Sequence, residues 1–207
     1  MKKKFVSFIF FFILFGAIPI SCDILCLDSC GCGDNFPPKD YSIKGLEIND
    51  FILNQTFNPD FFYPKEELFK FIEVSEFEFL SYSDQVNTSK GFIPMANACS
   101  PPPNKSSESI SVILISAKNH IGVSSEQNIE IGTDISEYFL ITDYPTSSGV
   151  SISAYLEDKP KLYLGEGLFL KWNSTLMENS ELVFDIQVNL NNGKSFIFEN
   201  EKMMLLK

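Results

Sequence analysis

The closing stretch of the chain leaves the least freedom. Leu182, Phe184, Ile186, Val188 and Leu190 fill every second position, Asn192-Gly193 follows, and Phe196 and Phe198 resume the alternation. A period of two belongs to a strand with one buried face, because successive side chains leave a pleated backbone on opposite sides. A helix would scatter these five residues around its circumference. The Asn-Gly pair predicts a type I′ hairpin turn, in which both central residues need positive φ. The chain therefore ends in an antiparallel hairpin.

Other segments repeat the pattern. Tyr41, Ile43, Leu46 and Ile48 alternate with a break at Gly45, which reads as a strand carrying a bulge or bend. Between Leu68 and Tyr82, Phe69, Phe71, Phe77 and Phe79 recur at even spacing with Glu73, Glu76 and Glu78 among them, the mark of a half-buried strand. Phe92 to Ala98 reads as a short strand stopped by Pro101-Pro102-Pro103, and Ile110 to Ile115 is rich in β-branched residues. Leu162, Leu164, Leu168, Leu170 and Trp172 keep the same period across Gly165-Glu166-Gly167. Two segments depart from it. Asp134 to Phe139 and Ser151 to Leu156 each begin with a capping residue and space their apolar residues as a helical turn does. Seven or eight short strands with one or two helical turns predict an all-β fold, an antiparallel β-sandwich of immunoglobulin-like arrangement without the Cys…Trp…Cys signature of antibody domains.

The other end of the chain speaks of address. Lys2, Lys3 and Lys4 precede a nearly unbroken apolar run from Phe5 to Ile20, and Cys22 follows. This is the layout of a secretory signal peptide. A membrane-spanning helix needs roughly 20 apolar residues, and this run is shorter and interrupted by Gly16 and Pro19. Pro19-Ile20-Ser21-Cys22 resembles a bacterial lipobox, with Pro19 where an aliphatic residue is usual. Cleavage before Cys22 and diacylation of its sulfur would hold the chain on a membrane, since two acyl chains anchor stably where one is reversible. The expected layout is a signal peptide over 1–21, a lipidated cysteine-rich tether over 22–40 and a β-sandwich domain over 41–207. Removing the leader takes away three lysines and no acid, so the exported part is more acidic than the net charge of −11 of the whole chain.

Cys26, Cys30 and Cys32 crowd the tether, and Cys99 lies far away. Four thiols in an exported chain suggest disulfides among Cys26, Cys30, Cys32 and Cys99, with three pairings open. Free or oxidised thiols are the alternative. The spacing C-x₃-C-x-C does not match structural zinc sites, so no metal is expected.

Taken together, the lipobox-like leader, the cysteine and glycine tether, Tyr41-Ser42-Ile43-Lys44-Gly45, Ala98-Cys99-Ser100-Pro101-Pro102-Pro103, Gly132-Thr133-Asp134 and the closing hairpin resemble an uncharacterised family of bacterial lipoproteins carrying a domain of unknown function. That resemblance implies export and a β-rich fold, and it brings no catalytic residues with it.

Chemistry is thin elsewhere. All 16 positive charges are lysines against 27 acids. Without arginine, and acidic throughout, the chain is a poor partner for nucleic acid. The one histidine, His120, sits in a polar turn with no nucleophile motif to serve. Carboxylate pairs such as Glu66 with Glu67, or Glu76 with Glu78, would suit a glycan hydrolase but arise by default among 27 acids. Phe61-Phe62-Tyr63, between Pro59 and Pro64, reads as a partner patch or as a loop plugging the core. The expectation is a non-enzymatic binding, adhesion or structural module. It would need no cofactor and would hold membrane lipid through an N-terminal diacylglyceryl cysteine carrying acyl chains such as palmitate. It would sit in the bacterial cell envelope, at the outer membrane, periplasmic or surface-exposed, with a protein or glycan partner. The alternatives are an envelope hydrolase using a carboxylate pair and a secreted, non-lipidated domain stapled by disulfides.

Overall fold

In a computed structural model of the chain, residues 40–53, 55–80, 103–124 and 127–207 are described. The expected strand over 92–98 and all five cysteines, Cys22, Cys26, Cys30, Cys32 and Cys99, lie outside them. Within the described residues the strands are β1 (Tyr41–Ile52), β2 (Leu68–Phe79), β3 (Lys105–Ala117), β4 (Ile121–Ser124), β5 (Gln127–Ile129), β6 (Phe139–Thr142), β7 (Val150–Ser151), β8 (Lys161–Tyr163), β9 (Gly167–Trp172), β10 (Ser180–Leu190) and β11 (Ser195–Leu205). A 3₁₀ turn at Ser136–Tyr138 and a short helix α1 (Ile152–Glu157) fall on the two segments with helical spacing. Ser151 caps α1 by accepting the Ala154 N–H at 3.2 Å, and Asp134 turns the chain into the 3₁₀ segment by accepting the Ser136 N–H at 2.9 Å.

Strand pairing follows the order β7-β6-β9-β2-β1 on one side and β11-β10-β3 on the other, with β8 along the first part of β3. One parallel pair, Tyr41 with Ser106, joins the two sets. Four of the strands, β1-β2-β9-β6, stand against three, β3-β10-β11. That is the strand order of an immunoglobulin-like sandwich. Its core is where the two sets face each other. Leu182, Phe184, Ile186, Val188 and Leu190 of β10 are all buried, as are Leu168, Leu170 and Trp172 of β9, and Phe139 meets Phe184 edge to face at 5.3 Å across the layers. Each such side chain contributes about 1.5–3 kcal/mol by leaving water.

The bulge anticipated at Gly45 is present, and it changes which face β2 offers. Pairing shifts between Ile43 and Leu46, and a Cβ at Gly45 would lie 2.9 Å from Ser75 Oγ. Below the bulge, Leu68 and Ile72 are the buried residues of β2 that join the core cluster, while Phe69 and Phe71 gather on the outer face with Phe169, at ring distances of 6.0 and 4.5 Å. Above it, Phe77 and Phe79 stand opposite Ile43 and Tyr41, both buried, yet are themselves 39% and 44% exposed. The four phenylalanines that looked like one face belong to two. Ile43 to Leu46 and Phe77 to Val74 each span three positions, so the register is unchanged across the irregularity and both strands reverse their alternation there together.

The closing hairpin also differs from expectation at its tip. Only Gly193 has positive φ, at 88°, so the turn is not type I′. Leu190 N–H reaches Lys194 O at 2.8 Å and Gly193 N–H reaches Leu190 O at 3.0 Å, which makes a three-residue loop with glycine in the left-handed position. Asn192 is held out of that conformation by its side chain, which accepts the Lys194 N–H at 2.9 Å and donates to Glu108 Oε1 at 3.2 Å.

Candidate functional site

The sites anticipated from composition lie apart. His120 is exposed, with Nδ1 3.0 Å from Glu130 Oε2, itself exposed. Glu78 pairs with Lys44 at 2.7 Å on the surface; the hydrogen bond and charge of Lys44 hold its carboxyl below the usual range. Glu67 is engaged by Gln55 at 3.5 Å, also at the surface. Neither carboxylate pair lines the concavity described below. The aromatic loop divides between its two readings. Tyr63 is buried, stacks on Phe57 at 6.1 Å and exchanges backbone hydrogen bonds with Met204 and Leu206, both at 2.9 Å. Phe61, beside it, is 60% exposed.

A concavity of about 580 Å³ lies where the turn after β6 meets the β8–β9 turn, with Phe51 and Phe169 among its lining residues. Tyr144 and Tyr163 stand open on it, at 69% and 39% exposure, among Asp143, Lys161 and Glu166. The turn that presents Tyr144 is fixed by buried Thr142, whose hydroxyl donates to Tyr144 O at 2.7 Å and contacts the Ser147 hydroxyl. Ser147 Oγ donates to the same carbonyl at 2.7 Å, and Lys171 Nζ reaches Ser147 O at 3.0 Å. Tyr163 is set by the β8–β9 turn, where Glu166 N–H returns to Tyr163 O at 3.1 Å and Gly165 takes φ of 82°. Tyr155 closes the floor; burial, then the charge of Asp143, pushes its phenol well above the usual value. Aromatic faces with a few polar groups on rigid turns make a groove suited to a ligand with both flat apolar surface and hydrogen-bonding groups. The period-two pattern marked Leu162 and Leu168 as strand residues, but nothing in it brought Tyr144 near Tyr163.

Two buried ionic clusters were also missed. The Glu108 carboxylate, on β3, accepts hydrogen bonds from Ser42 Oγ at 2.7 Å, Ser107 Oγ at 2.9 Å, Asn192 Nδ2 at 3.2 Å and the Ile43 N–H at 3.2 Å. Burial alone would raise its pKa, and these donors outweigh that effect and hold it below the ordinary value. Burial and the Glu108 charge together push the Tyr41 phenol up to about 12, and the Tyr41 hydroxyl donates to Leu162 O at 2.8 Å.

The second cluster surrounds Lys70, only 3% exposed on the core side of β2. Its Nζ lies 2.8 Å from Asp50 Oδ1 of β1 and 2.6 Å from Glu201 Oε2 of β11. Asp50 and Lys70 are direct cross-strand partners. Glu201 points inward opposite Phe184 because a bulge precedes it. There Asn200 takes φ of 57° and gives its N–H to Asp185 Oδ1 at 2.9 Å. Among the described residues no group of three or more His, Cys, Asp or Glu is arranged to hold a metal.

The chain matches no protein-family model, no curated protein and no solved structure in these comparisons. The site is therefore read from its geometry.

Proposed function

We propose that the protein is a lipid-anchored bacterial envelope lipoprotein whose immunoglobulin-like domain works as a non-enzymatic binding module. The leader ending at Cys22 supports the anchor, as does the resemblance to bacterial lipoproteins. The observation that carries the binding role is the groove in which Tyr144 and Tyr163 stand exposed on fixed turns. Open aromatic rings in a concavity are retained against their cost in exposed apolar surface when a partner covers them. The partner is a protein or glycan of the envelope.

Metabolic labelling with a clickable fatty acid tests the anchor. Label is expected on the wild-type chain and lost with Cys22→Ala; no label, or label that survives the substitution, refutes it. Mild crosslinking of the envelope-bound protein tests the groove. A partner captured by wild type and lost with Tyr144→Ala plus Tyr163→Ala is expected, and capture indifferent to both substitutions rules the groove out.

A further inference from the structure

We propose that Lys70 and Asp50 condense into an intramolecular amide, Nζ to Cγ, with Glu201 carrying the protons. The placement of all three groups is set before any chemistry. Asp50 and Lys70 face each other across paired strands, and the β11 bulge aims Glu201 at them from the other sheet. The three are not equivalent. Lys70 Nζ gives its hydrogen bond to Glu201 at 2.6 Å, whereas Asp50 Oδ1, 2.8 Å from the same nitrogen, is buried and accepts no hydrogen bond. Asp50 is the direct cross-strand partner of Lys70 and its near oxygen is not held by a hydrogen bond, so its Cγ is assigned as the electrophile; the hydrogen-bonded Glu201 carboxylate is assigned as the base.

The reaction balances with what the site holds. One proton passes from the Lys70 ammonium through Glu201 to Asp50, giving a neutral amine and a carboxylic acid. The amine lone pair then attacks Cγ and the C–N bond forms. Glu201 takes the second proton from nitrogen and delivers it to the departing hydroxyl, the C–O bond breaks, and water leaves. Glu201 returns to its starting state and the charge of the cluster is unchanged. The water has an exit, because the Asp50 and Glu201 side chains are each 23% exposed. Amide formation is unfavourable between free molecules in water. Prepositioning is worth an effective concentration on the order of 10⁵ M or more, which reverses that balance.

Tryptic mapping of the purified full-length protein decides the matter. The expected product joins the peptide 45–65 to the peptide 66–90 through an uncut Lys70, with the loss of one water, about 18 Da. Linear peptides ending at Lys70 as the main product would overturn the proposal. A join between Lys70 and the peptide 195–202 would overturn the assignment of Asp50 as electrophile. Glu201→Gln, checked for folding by circular dichroism, is expected to yield only linear peptides; a wild-type level of joined peptide in that variant would remove Glu201 from the reaction.

Discussion

The two buried ionic clusters sit toward opposite ends of β1 and solve the same problem differently. Glu108 is surrounded by four neutral donors and, among the described residues, has no cation within its hydrogen-bond shell. Lys70 has two carboxylates and, among the described residues, no neutral acceptor. The first arrangement satisfies a charge completely and is inert. It ties β1, β3 and the β10–β11 turn together through groups with nothing to gain by moving. The second leaves one carboxylate oxygen without a hydrogen bond, and it spans both sheets. Complete satisfaction belongs to structure, and the incomplete cluster is where reactivity resides.

Breaking the second cluster has the largest expected effect. Lys70→Ala leaves two carboxylates facing each other without a cation and is expected to cost about 3–5 kcal/mol, read as a lowered urea midpoint. Replacing all three members by Met and Leu should recover the part of that loss that comes from the stranded carboxylates, since apolar packing often matches a buried ion group, but not the part that comes from losing the amide. Next comes Glu108→Ala, which strands the Ile43 N–H and the serine hydroxyls and should cost about 1–3 kcal/mol on the same measure. The smallest effect separates the clusters by pH. Glu108 has a lowered pKa in the folded protein, so its stabilisation is complete above the unfolded-state value and is lost as pH falls through the folded one. The difference in urea midpoint between wild type and Glu108→Gln should therefore shrink on acidification below the ordinary carboxylate range. A difference that stays constant there would mean the hydrogen bonds do not favour the ionised form.

What the sequence makes legible is local. The alternation at Leu182–Leu190 reports burial of one face directly, and Ser151 reports the start of α1 because a cap acts within three residues. Gly45 signals its bulge by lacking a side chain that Ser75 would meet. Legibility fails where both strands reverse their alternation at one irregularity, so Phe69 and Phe77 end on different faces, and where Asn192 spends its side chain on Glu108 instead of on a type I′ turn. It fails altogether for clusters made by topology. Lys70 and Glu201 are 131 positions apart, and no spacing rule connects them. Tyr144 and Tyr163 share a groove only because the chain crosses at the β8–β9 turn.

The pairing of Tyr63 with Leu205 has a consequence in time. A ribosome delivers the amino end first, so β1, β2 and the loop after β1 exist long before β11. Tyr63 then has no backbone partner in β11 and Lys70 no contact from Glu201 until that strand arrives. These contacts form only once β11 is present, and pairings between strands so distant in sequence are the slow ones to form. A ribosome-bound or truncated chain lacking only its last strand would lose the contacts that join residues 63 and 70 to β11. Lateness of that kind keeps the segment around residues 63 and 70 unlocked until β11 is made.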